Sequence, residues 1–139
     1  MTSRVYVLDA ARNLGVIFDS QLSMSAQVLA VCRTGYYQLR QLCPLVRCLS
    51  EDAAKILIQA FINTRLDYCN SLYFGIADGL MSRLQKVQNV AARLINGVRR
   101  CEHITPALRQ LHWLPVHRRV DFKMSTSSIF RWLAPLLCT

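Results

Sequence analysis

The sequence predicts a mainly α-helical domain, a bundle of about four to five helices with a short β-hairpin at its N-terminal end. The clearest observation is the stretch 50–75, SEDAAKILIQAFINTRLDYCNSLYFG, whose apolar residues cover more than half of a helical circumference. The composition, with 53% hydrophobic residues in a chain of 139, is too apolar for a disordered segment. Helix caps and stops then recur along the chain, at Ser50, Gly97 and Pro106.

Two short runs rich in β-forming residues, Val5–Leu8 and Leu14–Phe18, are predicted to pair as the hairpin, with the polar segment AARN between them. The first helix is predicted from about Ser23 to Leu42, and Pro44 is expected to help end it. Its expected buried side consists of Val28, Leu29, Cys32, Tyr36 and Leu39. Its opposite side carries a row formed by Arg33, Tyr37 and Arg40.

The stretch 50–75 is predicted to be one central, mostly buried helix that Ser50 caps and Gly75 allows to stop. A helix this apolar must be covered by other helices. Each Å² of apolar surface that stays exposed to water loses roughly 25 cal/mol of stabilising free energy. Its expected buried face consists of Ala53, Ala54, Leu57, Phe61, Tyr68 and Leu72, widened by Ile58, Ile62 and Cys69. The strip expected to stay polar is Lys55, Gln59, Asn63 and Asn70.

A third helix is predicted from Leu80 to Asn96, capped by Asp78 and stopped by Gly97, where left-handed backbone is wanted. The expected core stripe is Leu80, Leu84, Val87, Ala91, Leu94 and Ile95. The other side carries Ser82, Lys86, Asn89 and Arg93.

The last part of the chain is predicted to hold two more helices. Thr105 should cap a short helix that reaches about His112, with Pro106 at its first position. An amphipathic helix then starts at Val116 and carries Arg118, Arg119 and Lys123. The final STSSIFRWLAPLLCT has weak helix propensity, and its apolar side chains would be exposed unless a partner or a second copy covered them. These side chains are Trp132, Leu133, Leu136 and Leu137.

Charge is distributed very unevenly. Residues 1–82 contain seven Lys and Arg against six Asp and Glu, whereas residues 83–139 contain ten against two. Nearly all of the net charge of +9 therefore lies in the second part, and 14 of the 17 cations are arginine. This imbalance indicates an anionic partner: nucleic acid first, an acidic membrane surface second, an acidic protein third. Arginine suits phosphate because of its planar fork of donors.

The residues assemble no recognisable active site. The adjacent acids Glu51 and Asp52 belong to the first turn of a helix, and the chain has neither a Gly-rich phosphate loop nor a nucleophile motif. Cys101, His103, His112 and His117 could bind zinc by composition, but their spacing matches no common zinc finger. Six cysteines without a C-x-x-C pair are expected to be reduced. With no secretory segment and no membrane-spanning run, we expect an intracellular protein, nuclear or cytoplasmic.

Four segments occur in a recognisable order and spacing: NLGVIFD at 13–19, TRLDYCNSLYFG at 64–75, RLQKVQNVAARLI at 83–95 and RRCEHITPALRQLHWLPVHRRVDFK at 99–123. Together they closely resemble the region just downstream of the catalytic core in reverse transcriptases of non-LTR (LINE-type) retrotransposons, the jockey-like and related clades. The piece EHITPALRQLHWLPV is the most specific part of this resemblance.

The resemblance implies that the hairpin is left over from the polymerase palm and that the helices form the thumb and its extension. It divides the chain into a palm-edge β segment at 1–20, a thumb-like bundle at 21–98 and a basic helical extension at 99–139. In that family the thumb grips the template–primer duplex while palm carboxylates hold two magnesium ions. Those carboxylates lie upstream of LGVIFD, so this chain is expected to be no enzyme on its own and to carry no cofactor.

We therefore expect a polymerase fragment that grips an RNA/DNA template–primer duplex through its backbone, without reading sequence. The candidate contacts are Arg33, Tyr37, Arg40, Lys86, Arg93, Arg99, Arg100, Arg118, Arg119 and Lys123. Alternatively, the row on the first helix is only a solvated face, and the Arg99–Arg100 pair only complements a helix end. The alternative functions are a helical protein-interaction module and a non-functional relic of a transposable element. A membrane partner is not expected, because the cations do not follow one long helix.

Overall fold

The computed structural model describes residues 8–137, and it is mainly helical, as predicted. An antiparallel hairpin consists of β1 (Ala10–Asn13) and β2 (Val16–Asp19). The first two helices are α1 (Ser25–Val46) and α2 (Glu51–Ile58). A π-helical turn (Gln59–Asn63), α3 (Thr64–Asp67) and a 3-10 turn (Asn70–Tyr73) follow α2. The chain continues with α4 (Asp78–Asn96), α5 (Thr105–Gln110) and α6 (Val116–Leu137).

The hairpin forms where it was predicted, but its first strand is displaced. β1 occupies the segment AARN that was expected to separate the strands, whereas residues 5–7 of the predicted first strand lie outside the described residues. The cause is the two-residue turn at Leu14 and Gly15, whose φ angles of 49° and 81° are both positive. Such a turn places Asn13 opposite Val16 and so fixes the register. On the outer edge of β2, the backbone N–H of Ile17 donates to the side-chain oxygen of Gln27 over 2.9 Å.

Helix α1 runs past the proline that was expected to end it. Pro44 lies within the last turn of the helix, which ends at Val46. It therefore removes only one backbone hydrogen-bond donor, and Leu42 just before it is still buried. Val28, Cys32 and Leu39 are buried as predicted, whereas Leu29 and Tyr36 are partly exposed. A residue outside the predicted face, Gly35, lies close to α4, since an added Cβ there would lie 2.8 Å from Val87 Cγ1.

The prediction of one continuous central helix was wrong. The helix ends at Asp67, and Cys69 then adopts a left-handed conformation with a φ of 52°. Before that end, the π-helical turn Gln59–Asn63 widens the winding. The fully buried residues are therefore spaced by four throughout, at Ala54, Ile58, Ile62 and Leu66.

The wider winding also explains which side chains were assigned to the wrong face. Phe61, Tyr68 and Leu72 were expected in the core but are 45%, 51% and 40% exposed. Conversely, Asn63 and Asn70 were expected to be polar surface residues and are buried. A 3.6-residue period cannot anticipate a turn that inserts an extra residue, which affects Phe61 and Asn63, or the helix end at Asp67, after which Tyr68, Asn70 and Leu72 no longer follow a helical period.

Helix α4 is close to its prediction. It ends at Asn96, and Gly97 has the left-handed φ of 64° expected after a helix end. Asp78 is the first helical residue rather than the cap, which is Ala77. Leu84, Val87 and Ala91 are buried as predicted, and Leu80, Leu94 and Ile95 are partly buried against them.

The C-terminal helices differ from the prediction mainly in length. Thr105 is the first residue of α5 rather than its cap, and α5 ends at Gln110. Helix α6 continues to Leu137, although its serine-rich stretch has poor helix propensity. The hydroxyls there donate back to carbonyl oxygens four residues earlier, which satisfies them inside the helix: Ser125 to Asp121, Thr126 to Phe122, Ser127 to Lys123 and Ser128 to Met124.

All three predicted segments contribute to one hydrophobic core. Val16 of the hairpin and Val120 of α6 belong to the same buried cluster as the residues of α1 and α4. Trp113, between α5 and α6, is buried in it as well. The basic extension is therefore packed into the bundle rather than appended to it.

Candidate nucleic-acid interface

Three cations meet where α1 packs on α4. On the solvent side of this contact lies a cavity of about 240 Å³, which we call the α1–α4 groove. Its lining residues are Leu29, Cys32, Arg33, Tyr36, Arg83 and Lys86. The floor is therefore mainly apolar, and the two helices contribute cations from both sides. This arrangement suits a ligand that has separated negative charges above an apolar surface.

The cations of the groove face no carboxylate. Among the described residues, the ion pairs are His117 with Asp121 and Arg119 with Asp67. Arg33, Arg83 and Lys86 therefore have no acidic partner within 4.0 Å in this part of the chain. Unpaired like charges around one opening repel each other, and a bound anion would relieve that repulsion.

Two ionisable side chains on the groove floor have raised pKa values. Burial raises the pKa of the Cys32 thiol, and the nearby charge of Arg83 works to lower it. Burial also raises the pKa of the Tyr36 phenol, with a smaller contribution from Cys32. Because both groups then stay protonated at neutral pH, they add no negative charge that would oppose an anion.

The predicted row on α1 continues from the groove onto the open surface. Arg33, Tyr37 and Arg40 are all exposed, and Tyr37 is 64% exposed. They lie on one side of the helix because they are separated by four and three residues. The exposed phenol ring of Tyr37 can stack on a planar group, although the same exposure is equally expected of a solvated face.

Sequence reasoning missed Arg83. It belongs to the same stripe of α4 as Lys86 and Arg93, because these residues follow each other at steps of three and seven. That spacing was available in the sequence. Arg93 is partly buried, and its Nε atom is buried without a hydrogen-bond partner in residues 8–137.

The remaining arginines near the end of α4 are exposed. Arg99 and Arg100 follow Gly97, and the carbonyl of Arg99 accepts a hydrogen bond from the Glu102 N–H over 3.1 Å. The structure brings neither side chain into the lining of the α1–α4 groove. They extend the basic surface at the helix end, where cations also interact favourably with the helix dipole.

The α6 cations lie on another side of α4. The side-chain oxygen of Gln85 accepts from the Val116 N–H over 2.8 Å, and the amide of Gln88 donates to the Leu114 carbonyl over 2.9 Å. Gln88 itself is 0% exposed. Since these contacts fix the start of α6 against Gln85 and Gln88, they separate α6 from the face that α4 turns to α1.

Two of the three predicted α6 contacts have partners inside the protein. Arg119 pairs with Asp67 and donates from Nε to the Leu114 carbonyl over 3.0 Å. Lys123 donates to the Asp67 carbonyl over 3.2 Å. Arg118 is exposed and is available to a ligand. The structure therefore brings Arg33 and Lys86 together with Arg83, but not with the α6 cations.

Residues with a zinc-binding composition lie on the surface rather than in a cluster among the described residues. Within 8–137, no group of three or more His, Cys, Asp or Glu is arranged to hold a metal ion. Cys101, His103, His112 and His117 are all exposed. No helix in this range is long and apolar enough to cross a membrane. A scan of protein-family models and searches of curated proteins and of solved structures find no match to the chain.

Proposed function

We propose that the chain is a non-catalytic clamp that binds the phosphate backbone of nucleic acid at the α1–α4 groove. The observation that carries the proposal is the convergence of Arg33, Arg83 and Lys86 around one opening, with no carboxylate among the described residues to neutralise them. Cations placed in this way contact phosphates without reading base edges, so the binding is independent of sequence.

The groove has the composition that phosphate binding requires. Two of its three cations are arginines, whose planar donors match phosphate oxygens better than a lysine does. Tyr37 and Arg40 extend the site along α1, where an exposed ring beside guanidiniums favours contact with a sugar or base. Arg93, Arg99, Arg100 and Arg118 lie outside the groove and add only to the total positive charge of the chain, whereas we assign Arg119 and Lys123 to the stability of the bundle.

The resemblance to LINE-type reverse transcriptases supports a particular ligand. On this resemblance we propose that the chain is a thumb-like fragment of an RNA-directed DNA polymerase. The ligand of the fragment would then be the RNA/DNA template–primer duplex. On this proposal the chain performs no synthesis itself, because the magnesium-binding carboxylates of the palm belong to a part that lies upstream of LGVIFD. On this proposal the chain contributes duplex binding only.

Fluorescence anisotropy with an RNA–DNA duplex, across a salt series, tests the proposal. Each phosphate that the groove neutralises should contribute roughly 0.9 to the slope of log affinity against log salt. The variant Arg33→Gln/Arg83→Gln/Lys86→Gln should lower both the affinity and the slope, by close to the contribution of three contacts. Duplexes of unrelated sequence should bind equally well.

A matched control removes the same charge elsewhere. Arg47→Gln/Arg109→Gln/Arg131→Gln changes three exposed arginines that do not line the groove. Its affinity should stay close to that of the unchanged protein at physiological salt, where charges beyond about 8 Å are screened. The proposal would be contradicted by an affinity that does not change with salt concentration. An equal loss of affinity in both triple variants would also contradict it.

A second candidate function has one specific observation in its favour. Phe122, Ile129 and Leu133 of α6 are exposed and lie on one face, since they are separated by seven and four residues. An exposed apolar stripe of this kind favours a protein partner or a second copy. It supports the alternative of a helical interaction module. The side chains of Trp132, Leu136 and Leu137, also expected in such a surface, are outside the described part.

A further inference from the structure

A second and larger cavity lies between the hairpin, α1 and the π-helical turn. It has a volume of about 520 Å³, within the range of roughly 300 to 1,000 Å³ typical of small-molecule sites. We call it the hairpin cavity; β1 and β2 contribute Arg12 and Ile17, and α1 contributes Thr34 and Gln38. The third wall is formed by Phe61 of the π-helical turn, Arg65 of α3 and Tyr68.

The hairpin cavity is built by the features that departed from the regular pattern. Because the π-helical turn rotates the helix, Phe61 leaves the core and lines the opening. The hairpin register places Arg12 directly across from Ile17, so both side chains lie on the same face and reach the cavity. The phenol of Tyr68 donates to the Leu14 carbonyl over 2.5 Å and holds the hairpin turn at the rim.

The side chains that line the hairpin cavity indicate which kind of ligand it would bind. Arg12 and Arg65 form no ion pair among the described residues, so the two guanidiniums favour an anion. Phe61 and Tyr68 present half-exposed rings, which favour a planar group. The Oε1 atom of Gln38 is buried with no hydrogen-bond partner in the described chain, so it can accept from an amino group.

We propose that the hairpin cavity binds a free nucleoside monophosphate whose base carries an amino group, such as adenosine 5′-monophosphate (AMP). Its phosphate lies at Arg12 and Arg65, its base against Phe61 and Tyr68, and its amino group at Gln38. A nucleotide combines the three required features in one molecule: an anion, a planar ring and a donor.

This site is separate from the α1–α4 groove. Val31, Thr34 and Gln38 line the hairpin cavity, whereas Leu29, Cys32 and Tyr36 line the groove. At about 100° per residue, these two sets lie on opposite sides of the α1 axis. The proposal therefore does not depend on the function proposed for the groove, and either can fail while the other holds.

Isothermal titration of the chain with AMP tests the proposal. We expect saturable binding, about tenfold weaker with adenosine, which lacks the phosphate, and about tenfold weaker for Arg65→Gln. Inosine monophosphate, which has an oxygen in place of the amino group, should bind more weakly than AMP. Gln38→Leu should abolish this preference, which a merely structural role of Gln38 would leave intact.

The matched control is Arg109→Gln, which removes an equivalent charge from an exposed position that lines neither cavity and should leave AMP binding unchanged. Arg12 and Arg65 are exposed, so replacing them should not unfold the chain, and thermal melting verifies this. Three results would each overturn the proposal. They are no saturation by roughly 10 mM AMP, equal losses in Arg65→Gln and Arg109→Gln, and equal binding of AMP and inosine monophosphate by the unchanged chain.

Discussion

Nη1 of Arg119 lies 3.1 and 3.0 Å from the two carboxylate oxygens of Asp67, although 52 residues separate them in the chain. The arginine side chain is only 15% exposed, and its Nε also donates to the Leu114 carbonyl. One guanidinium thus joins the end of α3, the connection after α5 and the first turn of α6. This arrangement gives the pair a structural task that exposed ion pairs rarely have.

Replacing Arg119 by Gln should destabilise the fold by about 1–2 kcal/mol, because it removes charge-assisted hydrogen bonds from a mostly buried side chain. Urea unfolding measures the loss. Arg118→Gln, at the exposed neighbouring position, is the control and should change stability by less than about 0.5 kcal/mol. Equal effects of the two substitutions would show that the pair with Asp67 contributes nothing.

Gly35→Ala should lower the free energy of unfolding by about 1–3 kcal/mol, because the new methyl group would meet Val87 at 2.8 Å. Val87 is β-branched and fully buried, so it cannot turn away. Adding Val87→Ala should recover part of the loss. Gly79→Ala, which meets nothing within 4 Å, should be neutral or stabilising by about 0.4–1 kcal/mol. A neutral Gly35→Ala would refute the close contact of α1 with α4.

The apolar stripe of α6 predicts self-association that depends on concentration. Light scattering on a dilution series should show the unchanged chain forming dimers or larger species, because an exposed apolar stripe favours burial. Phe122→Gln/Ile129→Gln/Leu133→Gln should make it monomeric. The control Leu45→Gln/Ile56→Gln/Phe74→Gln replaces exposed apolar residues elsewhere and should not. A monomer at every concentration would exclude this role for α6.

Cys32 should resist alkylation while the chain is folded. It is buried, and burial raises its pKa, so little thiolate is present to react with iodoacetamide. Cys48 and Cys101 are exposed and should react first, as mass spectrometry of digested samples would show. Rapid labelling of Cys32 without denaturant would contradict the packing of the groove floor.

The same shift has a consequence for stability at alkaline pH. Because the folded-state pKa of Cys32 is raised, its contribution is complete below the pKa of the unfolded thiol and is lost as pH rises through the folded value. Cys32→Ala should therefore show a smaller decline in unfolding free energy between neutral and alkaline solution than the unchanged chain. An identical decline would indicate that other groups cause it.

The regular elements could be predicted from local signals. The periodicity of α4 and the glycine after it placed the helix end correctly at Asn96, because a glycine with left-handed backbone ends a helix through its own local conformation. The π-helical turn could not be predicted, since nothing in the residues QAFIN favours a wider winding over an ordinary α-helix. Its effect is largest at Phe61 and Asn63, whose expected environments are exchanged.

The candidate site could be predicted only in part for the same reason. Charge and helical spacing located Arg33 and Lys86, and the same spacing could have added Arg83. The sequence could not show that Arg119 is held by Asp67, because that contact joins residues far apart in the chain. The number of cations in a sequence gives the total positive charge. Which of those cations can bind a ligand depends on whether each already has a partner inside the protein.

The hydrogen bonds from Gln85 and Gln88 to residues 114–116 bear on how the chain folds during synthesis. Until Leu114 and Val116 are present, the side-chain N–H of Gln88 has no acceptor in a fully buried position, and the core lacks the residues of α6. We expect chains truncated near residue 98 to remain sensitive to proteases. Chains that extend past about residue 123 should become resistant over α1, α4 and α6 at once. Folding of α1 and α4 would then wait for the last helix to emerge.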